Sequence, residues 1–309
     1  MRIHVISLAP LSQPQKARLS ALGEVVYHDA VLGDRAMGEL CRGADALIIT
    51  PRIAVDILPF LDRCKFISVQ GTGTDAIDIT AAKSRGILIS NARDFCTDAV
   101  AEHAFALLLG VAKKLERGRP TLQAGRWTRA LAYATLGLRG RTLGLYGCGQ
   151  IGSRIAEIAT AFGMRVQATV RRPSAPRAVP VVPLKTLLAE SDFLVLAAPA
   201  TAETTGLFNG ETLSRMKPGA VLINVSRAAL VNPQALLEAL DHGPLAGAGI
   251  DVFQEEPPAP DDALVRHPKI LVSPHVAWGT EDALERLLDQ SIAHLEAFVA
   301  GKPVNVVNP

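Results

Sequence analysis

Three short segments carry side chains suited to proton transfer and carboxylate binding: NVSRAALVN (residues 224–232), GIDVFQEEP (249–257) and SPHVAWGTEDA (273–283). Arg227 brings a forked donor that can grip a carboxylate and polarise a neighbouring carbonyl. His275 brings a ring that can donate a proton to oxygen near neutral pH. The acidic pair Glu255–Glu256 offers a carboxylate that would stabilise the ring's cationic form. An arginine, an acid and a histidine are the groups that reduction of a 2-keto acid needs. Singly they have plainer readings, as a surface ion pair, a solvated acid and a loop histidine. Trp278, three residues after His275, could wall a substrate pocket or simply pack.

A fourth segment points to the hydride source. Gly147-Cys148-Gly149-Gln150-Ile151-Gly152 is a GxGxxG that follows the strand-like Thr142–Tyr146 and opens a helical pattern running to Phe162. In that setting Gly147 makes the tight turn, Gly149 lets backbone approach a pyrophosphate, and Gly152 allows helix–strand packing. The helix N-terminus, with Gln150 and Ile151 in its first turn, offers N–H groups to the phosphates. An NAD site would carry an acid at the end of the next strand. Here that strand runs into Val170-Arg171-Arg172-Pro173-Ser174. With no acid, and with Arg171, Arg172 and Ser174 available to a 2′-phosphate, the pattern favours NADP(H) and leaves NAD(H) possible.

Positioning these groups falls to alternating elements. Short apolar runs read as strands at Ile3–Ser7, Ala46–Thr50, Phe66–Val69, Ile87–Ser90, Thr142–Tyr146, Val166–Val170, Phe193–Ala197, Val221–Val225, Ala248–Ile250 and Ile270–Val272, mostly separated by helical patterns. Continuous apolar strands followed by helices imply right-handed βαβ units, hence an α/β fold with two parallel sheets. The carboxyl ends of such strands line the ligand crevice, which brings Val225 and Ser226 to the cofactor beside Arg227. A long helix from Thr97 to Leu115 falls between the two sets of strands, and Arg171–Pro183, with four prolines, reads as a loop.

The composition agrees with this. A length of 309 residues suggests two domains, and 49% hydrophobic with 20% charged residues describes an ordinary globular core. A net charge of +2 disfavours a nucleic-acid binder. The longest uncharged apolar run, Ala104–Ala112, is too short for a membrane span, and the N-terminus lacks a signal-peptide pattern. Four scattered cysteines suggest neither a disulfide framework nor a metal site, so a reduced, cytoplasmic protein is expected.

The order GCGQIG, NVSRAALVN, GIDVFQEEP, SPHVAWGTEDA resembles the D-isomer-specific 2-hydroxyacid dehydrogenase family, as do GTGTDAIDITAA (71–82) and NARDFCTDAVAEHAFALLL (91–109). SPHVAWGTEDALERLLDQ and AFVAGKPVN are most similar to its glyoxylate and hydroxypyruvate reductases. The resemblance implies reduction of a small 2-keto acid to the D-2-hydroxy acid, for which the arginine pair makes NADPH the preferred donor. It makes Arg227 the carboxylate ligand, His275 the acid/base, and Glu256, before Pro257, its partner. It also implies that Asp251 bonds the nicotinamide carboxamide, that backbone at Thr72 and Gly73 meets the substrate carboxylate, and that Pro199 and Thr204 lie at the adenine pocket. Glu102 and His103 are taken as helix-packing residues, and Arg52 as structural. The implied architecture is a substrate domain of 1–96 plus 280–309 with a Rossmann dinucleotide domain, 97–279, inserted into it, and a homodimer formed through the latter. Asn91-Ala92-Arg93-Asp94 replaces the family's common Thr-Pro-Gly turn, Ala228 a common glycine, and Asn232 a common aspartate. Two other readings remain: a non-enzymatic NAD(P)H sensor or corepressor on this scaffold, and a dehydrogenase with another donor such as phosphite or formate. The Arg–Glu–His set weighs against the first, the arginine pair against the second.

Overall fold

The computed structural model describes residues 1–7, 9–28, 34–50, 57–74, 77–127, 134–170 and 179–309. The chain forms two units, Met1–Cys96 with Thr280–Pro309, and Thr97–Gly279. In the first, β1 (Arg2–Ile6), α1 (Gln13–Leu22), β2 (Glu24–His28), α2 (Asp34–Leu40), β3 (Ala46–Ile49), β4 (Phe66–Val69), α3 (Ile79–Ser84) and β5 (Leu88–Asn91) follow in order. The five strands are all parallel, in the order β2-β1-β3-β4-β5, a flavodoxin-like arrangement. The inner strands β3 and β4 are buried throughout, which is why they read as unbroken apolar runs. The edge strand β2, Glu-Val-Val-Tyr-His, was not among the expected strands. It is only partly buried, so neither a continuous run nor a clean alternation marks it.

The second unit opens with α4 (Thr97–Lys113), where Lys114 turns left-handed at φ 53° and starts α5 (Leu115–Gln123). The expected single helix thus breaks one residue before its expected end. There follow β6 (Thr142–Tyr146), α6 (Gln150–Ala161), β7 (Arg165–Thr169), α7 (Leu184–Glu190), β8 (Phe193–Leu196), α8 (Gly210–Leu213), β9 (Ala220–Asn224), α9 (Pro233–Asp241), β10 (Leu245–Ile250), α10 (Ala263–Arg266) and β11 (Ile270–Val272). All six strands are parallel in the order β11-β10-β9-β8-β6-β7. The order reverses between β6 and β8, so the loop after β6 opens at a topological switch point. Asn232 caps α9 by accepting from the Ala235 N–H at 2.9 Å.

The last helix, α11 (Glu281–Val299), completes the first unit. Ile292 and Leu295 enter the core formed by Ile3, Val5, Ile48 and Phe66. Arg18 donates two hydrogen bonds to Glu296 and one to Asp289. Buried His294 joins Ser68 on β4 to Asn305 in the tail, and Asn308 pairs with the backbone of Ile87 and Ile89. Among the described residues no helix is long and apolar enough to cross a membrane.

One buried group in this unit makes stability depend on pH. His4 is 2% exposed and bonds His28 through Nδ1 at 3.0 Å. Burial first, then the charges of His28 and Arg2, lower its pKa from 6.5 to about 4. Between those values the unfolded chain binds the extra proton. The stabilisation from neutral His4 is therefore complete above about pH 6.5 and is lost as pH falls towards 4, a change of about 3 kcal/mol. Thermal midpoints measured from pH 7 to 4 are expected to fall less steeply in His4→Leu than in the wild type. Parallel curves would remove His4 as the cause.

Candidate active site

The cradle after β6 fits a dinucleotide phosphate. Gly147 has φ 95°, and a Cβ there would lie 2.6 Å from the Ala197 carbonyl oxygen, so only glycine fits. A Cβ at Gly152 would lie 2.4 Å from the Gly147 oxygen, whereas one at Gly149 would meet nothing within 4 Å. Gly149 is the N-cap of α6 and supplies no capping side chain. The first-turn N–H groups of Gln150, Ile151 and Gly152 thus lack a side-chain acceptor and suit an anion. At the end of β7, Thr169 donates through Oγ1 to the Val182 carbonyl. Arg171, Arg172 and Ser174, like Arg52, lie outside the described residues.

On the neighbouring strand ends, local hydrogen bonds shape the turns. Thr204 Oγ1 donates to the Pro199 carbonyl at 2.9 Å and accepts from the Thr201 N–H at 2.8 Å, so this buried hydroxyl holds the Pro199 turn together. After β9, Asn224 is 1% exposed. Its Oδ1 accepts from Ser226 N and Oγ, and its Nδ2 donates to the Arg227 carbonyl. These bonds fix the Val225–Ser226–Arg227 backbone, and Arg227 Nη1 donates to the Ser226 carbonyl at 2.8 Å. Gln254 Nε2, from the loop after β10, donates to the Ala228 and Val231 carbonyls, tying that loop to the arginine segment.

The loops after β10 and β11 meet at His275. Its Nδ1 donates to Glu256 Oε2 at 2.7 Å, while Glu256 Oε1 accepts from the Phe253 N–H at 3.1 Å. Glu256, rather than its neighbour Glu255, makes this pair. Because a carboxylate only accepts, the pairing places a proton on Nδ1 and directs Nε2 to any further exchange. His275 has φ 54°, unusual for a residue with a Cβ and costing about 1–3 kcal/mol. The surrounding bonds hold it there: Trp278 Nε1 donates to the His275 carbonyl, and Asp251 accepts from Val276 N at Oδ1 and from Ala277 N at Oδ2, both at 3.0 Å.

Asp251 is fully buried, and its carboxylate accepts from several protein donors. Besides the two amides it accepts from Ser273 Oγ at 2.6 Å and lies 3.4 Å from His103 Nε2. Burial pushes its pKa up, but hydrogen bonds from His103, Ser273, Ala277 and Val276 outweigh that and hold it below the usual carboxylate range. Expected only to pack α4, His103 is therefore bonded to this loop. The sequence signals for such supports are local. Asn224 followed two residues later by Ser226 is an Asx-turn pattern, and His103 is a polar residue on the face shared with Leu107 and Val111. Nothing in the sequence marks Gln254.

In the first unit, Thr72 and Gly73 follow β4. Asn91 Nδ2 donates to the Thr72 carbonyl at 2.6 Å, and Arg93 Nε donates to Asn91 Oδ1. The unusual Asn91-Ala92-Arg93-Asp94 segment thus anchors the Thr72 loop, with Asp94 left-handed at φ 61°. Among the described residues no group of three His, Cys, Asp or Glu side chains could hold a metal ion.

Comparison with known proteins places this geometry in context. Residues 105–277 match the family described as D-isomer specific 2-hydroxyacid dehydrogenase, NAD binding domain. A glycerate dehydrogenase of Methylorubrum extorquens is 38% identical over 277 residues, covering 87% of each chain. A glyoxylate reductase of Thermococcus litoralis is 38% identical over 283 residues, covering 87% of this chain and 85% of that one. The crystal structure of an NADPH-dependent glyoxylate/hydroxypyruvate reductase from Sinorhizobium meliloti, in complex with NADP and malonate, superposes with a TM-score of 0.84 at 32% identity, covering 99% of this chain and 96% of that one.

Proposed function

Because the chain belongs to the D-isomer specific 2-hydroxyacid dehydrogenase family, we propose that it reduces a small 2-keto acid of the glyoxylate or hydroxypyruvate class to the D-2-hydroxy acid, preferring NADPH. The observation that carries this reading is the 2.7 Å bond between His275 Nδ1 and Glu256 Oε2. It makes a charge-stabilised proton donor on the same sheet edge as Arg227. The relatives' names support the substrate class, and the D configuration follows the family.

Arg227 takes the substrate carboxylate in its guanidinium fork and draws electron density from the adjacent carbonyl. When bound, reduced nicotinamide would supply the hydride for the keto carbon. His275 gives its Nε2 proton to the keto oxygen as negative charge builds there. Glu256 stays ionised and offsets the ring's positive charge, while its bond to Phe253 N keeps it from rotating away. Trp278 walls the substrate side. Gly147, Gly149, Gln150, Ile151 and Gly152 hold the pyrophosphate, and Pro199, Thr204, Val225 and Ser226 line the rest of the cofactor site. Asp251 Oδ2, with one bond from Ala277, retains a lone pair for the carboxamide. Arg171, Arg172 and Ser174 take the 2′-phosphate, a reading supported by the lack of an acid at the end of β7.

Initial rates with NADPH and NADH, using glyoxylate, hydroxypyruvate, pyruvate and a bulkier aromatic 2-keto acid, test the reading. NADPH is expected to be favoured, and Arg171→Ala/Arg172→Ala to lower that preference by roughly ten- to hundred-fold, as loss of charge-assisted bonds implies. Tight NADPH binding without turnover of any keto acid would instead leave the sensor reading.

The protein is also inferred to work in the cytoplasm as a homodimer formed through the second unit. Its four cysteines are free and buried, and α5 has no buried residue. Leu115, Leu122 and Trp127, on and just after α5, are 66%, 59% and 89% exposed, which leaves three large apolar side chains open in one segment to meet a second copy. Sedimentation is expected to give a dimer, and Leu122→Glu/Trp127→Glu a monomer; a monomeric wild type ends the dimer proposal.

A further inference from the structure

Close packing of α4 on the sheet brings His103 to the loop that carries His275. Leu107, Gly110 and Val111 share its helix face. A Cβ at Gly110 would lie 2.4 Å from Leu271 Cδ2, one at Gly249 2.9 Å from Leu107 Cβ, and one at Gly247 2.7 Å from Val111 Cγ1. The three glycines let the helix lie nearly flush against β10 and β11, and one turn earlier that contact sets His103 beside Ser273.

The hydrogen-bond directions there follow from the groups present. Asp251 Oδ1, 2.6 Å from Ser273 Oγ, can only accept, so the serine hydroxyl donates to it. The serine oxygen is left to accept from His103, whose Nε2 lies 2.8 Å away. His103 therefore carries its proton on Nε2, and the sequence His103 N–H to Ser273 O–H to Asp251 runs in one direction. The same carboxylate holds the amides of Val276 and Ala277, the two residues after left-handed His275. Three neighbours thus depend on one buried anion, and His103 supplies the only ring donor directed towards it among the described residues.

We propose that His103 is a positioning residue for the proton-transfer loop: through Ser273 and Asp251 it keeps Val276 and Ala277 clamped and His275 in its left-handed turn. The reading rests on the proposed acid/base role of His275. His103 touches neither substrate nor reacting atoms, and loosening it acts on the chemical step more than on substrate affinity, because the donor's aim is what changes.

The test compares His103→Leu with His103→Gln, whose amide retains an N–H donor at similar reach, in the full-length protein. Amide hydrogen exchange is followed at Val276 and Ala277, together with kcat and KM for the best 2-keto acid. In His103→Leu, exchange at both amides is expected to quicken about tenfold and kcat to fall about tenfold, with KM within twofold. His103→Gln is expected to recover most of both losses. Unchanged exchange at Val276 and Ala277 in a folded His103→Leu overturns the proposal, as does a glutamine variant no better than leucine. If the wild type reduces no 2-keto acid, the proposed reaction fails separately, and the exchange data still decide whether His103 holds the loop.

Discussion

Substitution of His275 by glutamine is expected to lower kcat for keto-acid reduction by about a thousandfold, within the usual range for loss of a positioned general acid. Glutamine fills similar space, and its amide can donate a hydrogen bond, but the amide is far too weak an acid to transfer a proton. Cofactor affinity should stay within about twofold, because the phosphate cradle on β6 and α6 makes no hydrogen bond to this loop among the described residues. Glu256→Gln is expected to cost less, about ten- to hundredfold, since the ring remains but its cation loses the carboxylate 2.7 Å away. Single-turnover rates and NADPH fluorescence titrations on the three proteins separate the chemical step from binding. Near-normal turnover in His275→Gln would move the proton donor elsewhere.

Arg227 carries the second large effect. Arg227→Gln is expected to reduce kcat/KM by about a hundred- to thousandfold, as loss of a bidentate, charge-assisted contact that also polarises the carbonyl implies. Arg227→Lys keeps the charge but loses the planar fork, and is expected to recover little of that loss. Fold should be unaffected, because Asn224 shapes the turn through backbone atoms, and the arginine side chain's bond to the Ser226 carbonyl is local. Kinetics over a wide range of substrate concentrations, with thermal midpoints as a control, check this. A change confined to the midpoint would make Arg227 a structural residue only.

Much of the fold was legible because apolar runs mark buried parallel strands. β3, β4, β8 and β9 are buried along their whole length, and apart from Ser68 and Asn224 their residues are all apolar. The partly exposed edge strand β2 lacks that signature and went unseen. The break at Lys114 was also hidden, since a lysine adopts a left-handed turn only when its surroundings require it.

At the candidate site, the residue types on the strand ends and the glycine spacing were readable one segment at a time. Gly147 illustrates why: its positive φ and the approach of the Ala197 carbonyl both demand glycine, so geometry is written into residue type. Glu256 and Glu255 are alike in composition and neighbourhood, and what separates them is which one reaches His275. His103 and Gln254 act through hydrogen bonds to groups 170 and 26 residues away, distances that periodicity does not register.

The sequence by itself determined the α/β class, the phosphate loop and the inventory of arginine, acid and histidine, because each depends on local spacing and backbone preference. Residue types and spacing left Glu255 and Glu256 equivalent, and the family resemblance named Glu256; only the tertiary structure decided which donors Asp251 accepts from, and that a helix histidine supports its loop. Those outcomes depend on which strands lie side by side and how closely a helix can approach them, and both are set when distant segments pack together.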